Sequence, residues 1–181
     1  MKFTNLQDKL TSMFSKKGEA PKYLKGADKP KTYDWKFGNR SEMKLVDVDE
    51  TLVKVVRLAL TYSSIDFGVT CGLRTQHEQN QLYIQGKSKV KHSRHQDGAA
   101  IDIVVYKGGK VTWDLHDYVT AAEGFHLAAK ELGVDLRWGA AWTRNLKDVS
   151  AREAHNSYVS LRKQQGKRPF IDGPHFEIPK E

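Results

Sequence analysis

The chain has 181 residues, 39% of them hydrophobic, and 30 Lys and Arg against 22 Asp and Glu give a formal net charge of +8. That length supports one domain with a proper core, and the charge favours an anionic partner: a nucleic acid, an anionic lipid surface or an acidic polymer. The single Cys71 excludes an intramolecular disulfide, and no run approaches the roughly 20 apolar residues that a membrane-spanning helix needs.

Residues 1–38 read as a basic N-terminal extension. Phe3, Leu6, Leu10, Met13 and Phe14 fall at helical spacing, which predicts a short amphipathic helix. A stretch rich in Lys, Gly and Pro follows. Eight lysines against Asp8, Glu19 and Asp28 make residues 1–31 strongly basic. Two readings stay open for this arm: a small helix docked on the domain, or a segment contacting a membrane or cell envelope. Asp8, Lys9, Lys16 and Lys17 interrupt any apolar run, so no signal peptide is expected and synthesis in the cytosol of the producer is.

From residue 39 the pattern is that of one α+β domain with a small, mainly antiparallel sheet flanked by helices. ETLVKVVRLALTY, 50–62, reads as a helix with Leu52, Val55, Val56, Ala59 and Leu60 inward. FGVTC, 67–71, reads as a strand. Thr75 followed by Glu78 is a capping box opening a helix through Ile84, which Gly86 is placed to end. IDIVVY, 101–106, is a strand, and KGGK, 107–110, a hairpin turn. A helix over 116–132 should pack through Tyr118, Ala121, Phe125, Ala128 and Leu132, with Gly133 closing it. DLRWG, 135–139, and HFEI, 175–178, are two further strands. Between them 143–168 reads as a basic insertion without clear apolar periodicity.

Chemistry concentrates in two segments. In KHSRHQDGAAID, 91–102, the small residues Gly98, Ala99 and Ala100 permit a tight turn that could bring Asp102 beside His95. Along the following strand Asp102 and Val104 point one way and Ile101, Ile103 and Val105 the other. A carboxylate so placed needs a positive partner, either a metal ion or an ion pair with Arg94 or His95, and these residues leave both open. In IDGPHFEI, 171–178, a turn through Asp172, Gly173 and Pro174 leads to His175, a third candidate ligand. Three protein ligands with one open position for water suit a catalytic zinc ion, and Asp172 would be free to act as general base.

SRHQDGAAID, Ser93 to Asp102, resembles the SxHxxGxAxD motif of the zinc peptidases that include D-alanyl-D-alanine carboxypeptidases and phage L-alanyl-D-glutamate endopeptidases. DGPHFE, Asp172 to Glu177, resembles their closing motif. CGLRT, 71–75, is similar to the family segment bearing a substrate-contacting arginine, and LRWGAAW, 136–142, to its Trp-Gly strand. KFGNRSEMKLVDVDETL, from Lys36, is similar to the start of the small endolysins. The resemblance implies a Hedgehog/DD-peptidase-like fold with one Zn2+ on the sheet. It implies His95, Asp102 and His175 as ligands, Asp172 as base, and Arg74 on the developing oxyanion or a substrate carboxylate. Ser93, Trp138 and Glu177 would act around the site or on substrate. Many relatives carry an acidic residue where this chain has Ala141.

The activity so implied is cleavage of the L-alanyl-D-glutamate bond of peptidoglycan stem peptides by a phage endolysin that lyses its host, and a single small domain is compatible with a monomer. A holin would give it access to the periplasmic wall, and the basic arms could meet an anionic outer membrane. Trimming of terminal D-alanine is the alternative on the same fold. A 2-His-1-carboxylate iron oxygenase usually spaces its first pair more closely. In such an oxygenase Asp172 would lack a role; a non-catalytic wall or nucleic-acid binding module is opposed by the intact ligands and base, and nucleic acid is the less expected partner.

Overall fold

A computed structural model describes residues 30–180. The amphipathic helix expected near the N-terminus, with most of the basic arm, lies outside the described residues. Helix α1 (Asn39–Lys44) leads into α2 (Glu50–Tyr62), whose N-cap Asp49 accepts from the Thr51 and Leu52 amides. Strand β1 (Asp66–Cys71) follows, then α3 (Gln76–Ile84), opened by the reciprocal Thr75–Glu78 capping box. A 3-10 turn, Arg94–Asp97, leads into β2 (Ala100–Lys107), and Gly108 and Gly109, both at positive φ, turn the chain into β3 (Lys110–Thr112). Next come α4 (Leu115–Leu132), β4 (Arg137–Trp138), α5 (Ala151–Gln164) and β5 (His175–Glu177).

The sheet runs β1-β2-β5-β4, with β3 also paired to β2, and every pairing is antiparallel. Side-chain alternation divides the work of its two faces. Ile101, Ile103 and Val105 of β2 are buried on the face covered by helices. There Phe125 of α4 packs on Phe67 of β1 (ring centroids 5.2 Å) and stacks on Phe176 of β5 (3.8 Å). Residues 33–37 run along the same layer: the Tyr33 amide donates to Thr61 O, Trp35 Nε1 to Ser63 O, and Phe37 meets Phe67 edge-on.

Three features depart from the expectations drawn from the sequence. Leu132 is 40% exposed rather than packed, because it sits on the last turn of α4, beyond the sheet it was meant to cover. The strand expected at 135–139 is ordered as β only at Arg137 and Trp138. The stretch 143–168 holds α5, which buries Ala151, Ala154 and Tyr158. These three residues do fall at helical spacing, but two small alanines among charges give a weak apolar signal.

Helices α2 and α4 cross where Gly124 lets the backbones close: a Cβ there would lie 2.6 Å from Ala59 O and 3.0 Å from the Ser63 amide. Neither obstacle is a flexible side-chain end, so the helices must separate to admit a methyl group. Gly124→Ala is therefore expected to destabilise the fold by about 1–3 kcal/mol. Denaturant unfolding checks this, and an unchanged midpoint would contradict the crossing.

Candidate metal and catalytic site

The open face of the sheet carries the polar residues. In-register pairing sets Asp102 opposite His175 on one side and opposite Cys71 on the other, so three neighbouring strands present a row of polar side chains. His95 arrives from the 3-10 turn. Ser93 caps that turn, its hydroxyl accepting from the His95 amide while Gln96 bonds back to the Ser93 amide. Gly98 closes it at φ +66, and the space for a Cβ is already taken by Asp47 O at 2.8 Å.

The result is a triangle. His95 Nε2 lies 3.2 Å from Asp102 Oδ1, His175 Nδ1 lies 3.2 Å from the same oxygen, and the two nitrogens are 3.3 Å apart. A tetrahedral ion with bonds of about 2.0–2.1 Å separates its ligand atoms by about 3.3–3.4 Å, so these atoms fit one face of such a site. The outer nitrogen of each imidazole is engaged. His95 Nδ1 lies 2.8 Å from Gly72 O, and His175 Nε2 lies 2.7 Å from Glu177 Oε2. If each outer nitrogen donates, the inner one presents its lone pair to the centre. Glu177 is buried, and Arg137 holds its other oxygen through Nε at 2.7 Å and through Nη2.

Cys71, His95 and Asp102 form another group close enough to hold an ion. Two features set the Cys71 group apart from the His/Asp/His triangle. Cys71 Sγ lies 3.7 Å from His95 Nδ1, the nitrogen facing Gly72 O, and Arg74 Nη2 reaches both Cys71 Sγ (3.4 Å) and Asp102 Oδ2 (3.3 Å). A fixed cation there opposes a second one.

Electrostatics at the triangle favour added positive charge. Burial alone would push the Asp102 carboxyl up, but hydrogen bonds with His175 and His95 outweigh it and hold the group well below the usual carboxylate range. Both imidazoles are raised despite burial: His95 by its bonds to Asp102 and Cys71, His175 by those to Asp102 and Glu177. Asp172 is held differently. Burial raises its carboxyl above its ordinary value, and the charge of Asp102 adds to this while that of His175 opposes it.

The Asp172 loop is fastened by its backbone. The Asp172 amide donates to Gly139 O, the Gly139 amide to His175 O, and Trp138 Nε1 to Gly173 O at 2.7 Å. A Cβ at Gly139 would lie 2.3 Å from Asp172 O, so the contact requires glycine. Trp138 is fully buried and supports this loop from the core rather than facing substrate. Ala141 is buried beside it. His92 is paired with Asp97 at 2.8 Å, and Arg94 bonds Asp97 and Ile178 O rather than Asp102.

His95, Asp102, Asp172, His175 and Glu177, with Arg74, Ser93 and Arg137, line a cleft of about 570 Å³. Trp142 forms part of one wall, stacked on His175 (5.4 Å) with its Nε1 donating to Phe170 O. Two contributors were not legible beforehand. Arg137 acts only through the β4–β5 register, and Gln79 is a fully buried glutamine whose Oε1 accepts from Arg74 Nη1 at 2.9 Å. A polar residue inside a polar helix carries no sequence signal of burial. Glu177→Gln is expected to keep the fold and weaken divalent-metal affinity by about 10- to 100-fold. Calorimetric titration of the metal-free protein checks this, and unchanged affinity would remove Glu177 from the site.

The model of the phage L-alanyl-D-glutamate peptidase family matches residues 33–178. The chain is 36% identical over 148 residues to an L-alanyl-D-glutamate peptidase of Escherichia phage T5, covering 80% of this chain and 98% of that protein. It is 32% identical over 108 residues to the peptidoglycan L-alanyl-D-glutamate endopeptidase CwlK of Bacillus subtilis, covering 49% of this chain and 61% of the relative. The crystal structure of the Serratia marcescens L-Ala D-Glu endopeptidase ChiX superposes with a TM-score of 0.61 at 31% identity, covering 81% of this chain and 92% of that one. A family match across nearly all the described residues, with a relative matched over almost its full length, leaves one assignment: the chain is a peptidase of the phage L-alanyl-D-glutamate peptidase family.

Proposed function

We propose that this peptidase hydrolyses the amide bond between L-alanine and D-glutamate in peptidoglycan stem peptides, using one zinc ion held by His95, Asp102 and His175. The observation that carries the reading is the triangle of two imidazole nitrogens and one carboxylate oxygen at tetrahedral spacing, opening into the cleft beside Asp172. Zinc in such a site supplies Lewis acidity toward a carbonyl oxygen and toward a water molecule.

The chain's own groups supply the rest. Asp172, a carboxylate with raised proton affinity in the cleft, takes a proton from the attacking water and returns it to the departing amine of the glutamyl residue. Arg74, anchored by Gln79, commits Nη2 to Asp102 Oδ2 and leaves Oδ1 for the ion, and its guanidinium borders the space where negative charge develops on the carbonyl oxygen. Glu177 and Arg137 fix the ring of His175, and Ser93 fixes the turn that carries His95.

Among the described residues no helix is long and apolar enough to cross a membrane. In this reading a monomer made in the host cytoplasm reaches the periplasmic wall through a holin and lyses the cell, and its basic segments favour an anionic envelope. The test is mass spectrometry of digested Gram-negative peptidoglycan. New L-alanine C-termini and D-glutamate N-termini are expected, and free D-alanine instead would make the enzyme a carboxypeptidase. Asp172→Asn should retain zinc and lose at least about 100-fold in rate, whereas His175→Ala should lose both. Undiminished turnover in Asp172→Asn would remove the base.

A further inference from the structure

The cations lining the cleft are of two kinds. Arg74, Arg94 and Arg137 are each committed to a carboxylate: Asp102, Asp97 and Glu177. Lys87 and Lys89 also line the cleft, and neither has a carboxylate partner among the described residues.

The loop that carries them is held in place. The Lys87 and Ser88 amides both donate to Leu82 O at the end of α3. Gln79, fully buried beneath the loop, donates through Nε2 to Ser88 Oγ (2.9 Å) and Val90 O (2.7 Å) while its Oε1 accepts from Arg74. One glutamine thus ties the loop to an arginine at the triangle. With Ser88 and Val90 bonded inward, the intervening Lys89 and the preceding Lys87 are exposed. On another stretch of the lining, Trp142 and Phe170 stack at 5.9 Å, so apolar wall and free positive charge border the same space.

The substrate has a matching group on chemical grounds. A glutamyl residue whose nitrogen lies in the scissile bond has two carboxyl groups. Chain extension uses one of them, and the other remains ionised at neutral pH. We infer that Lys87 and Lys89 form the subsite for that free carboxylate, on the leaving-amine side of the scissile bond, and so set the preference for an unmodified glutamyl residue. The subsite rests on the L-alanyl-D-glutamate reading above.

The experiment is a cycle between enzyme and substrate. Zinc-loaded wild type and the double variant Lys87→Gln/Lys89→Gln are each assayed on two stem-peptide mimics containing L-Ala–D-Glu. In one mimic the free glutamyl carboxylate is intact, and in the other it is a carboxamide. Wild type is expected to show a KM about five- to tenfold lower for the carboxylate form, with kcat within about twofold, since exposed charge pairs are individually weak. The double variant is expected to treat both peptides alike, and added salt to erode the wild-type preference. A preference that survives in the double variant, or a wild type that cleaves both forms with equal KM, overturns the subsite and leaves the bond assignment standing. A wild type inert toward both peptides, while the same preparation releases D-alanine from peptidoglycan, overturns the bond assignment and the subsite with it.

Discussion

The site depends on one carboxylate in an awkward place. Asp102 sits on the middle of three adjacent strands, back to back with the fully buried Ile101 and Ile103. A charge there is tolerated only if its surroundings answer it. The answer comes from three directions: His95 from a capped turn, His175 from the neighbouring strand, and Arg74 from the loop between β1 and α3. Two of these groups share Oδ1, and the arginine takes Oδ2. The division leaves one side of the carboxylate facing two imidazoles and the other neutralised, which is the electrostatic setting for a single divalent ion.

The scaffold reads as a device for keeping that arrangement in register. A one-residue slip between β2 and β5 would turn His175 into the core and Phe176 out of it. Stacking of Phe125 on Phe176, and of Phe176 with Trp138, resists the slip from the apolar side. From the polar side, Arg137 opposite Glu177 fixes the same register and at once orients the His175 ring. Core packing and site geometry are thus two faces of the same few strand residues.

Much of this was legible in the sequence because local rules produce it. The alternation along IDIVVY places Asp102 opposite the core, and the Thr75–Glu78 box and Gly133 mark helix ends through backbone hydrogen bonds that need no tertiary partner. The family motifs pointed to His95, Asp102, His175 and Asp172, and the structure brings all four into one cleft. What stayed hidden depends on long-range pairing. Arg137 matters only once β4 lies beside β5, Gln79 only once the 87–91 loop folds over it, and α5 buries too little apolar surface to announce itself. Trp138 was expected around the site or on substrate, and it serves from within the core by holding Gly173 O.

The central claim is that one ion is held by nitrogen and oxygen alone, although a thiol lies within reach of the same histidine and aspartate. Zinc-edge X-ray absorption on the protein loaded with one equivalent of zinc tests it most directly. The account predicts a first shell of nitrogen and oxygen scatterers at about 2.0–2.1 Å with imidazole outer-shell features and no sulfur. A sulfur scatterer at about 2.3 Å would place the ion on Cys71 and contradict the account.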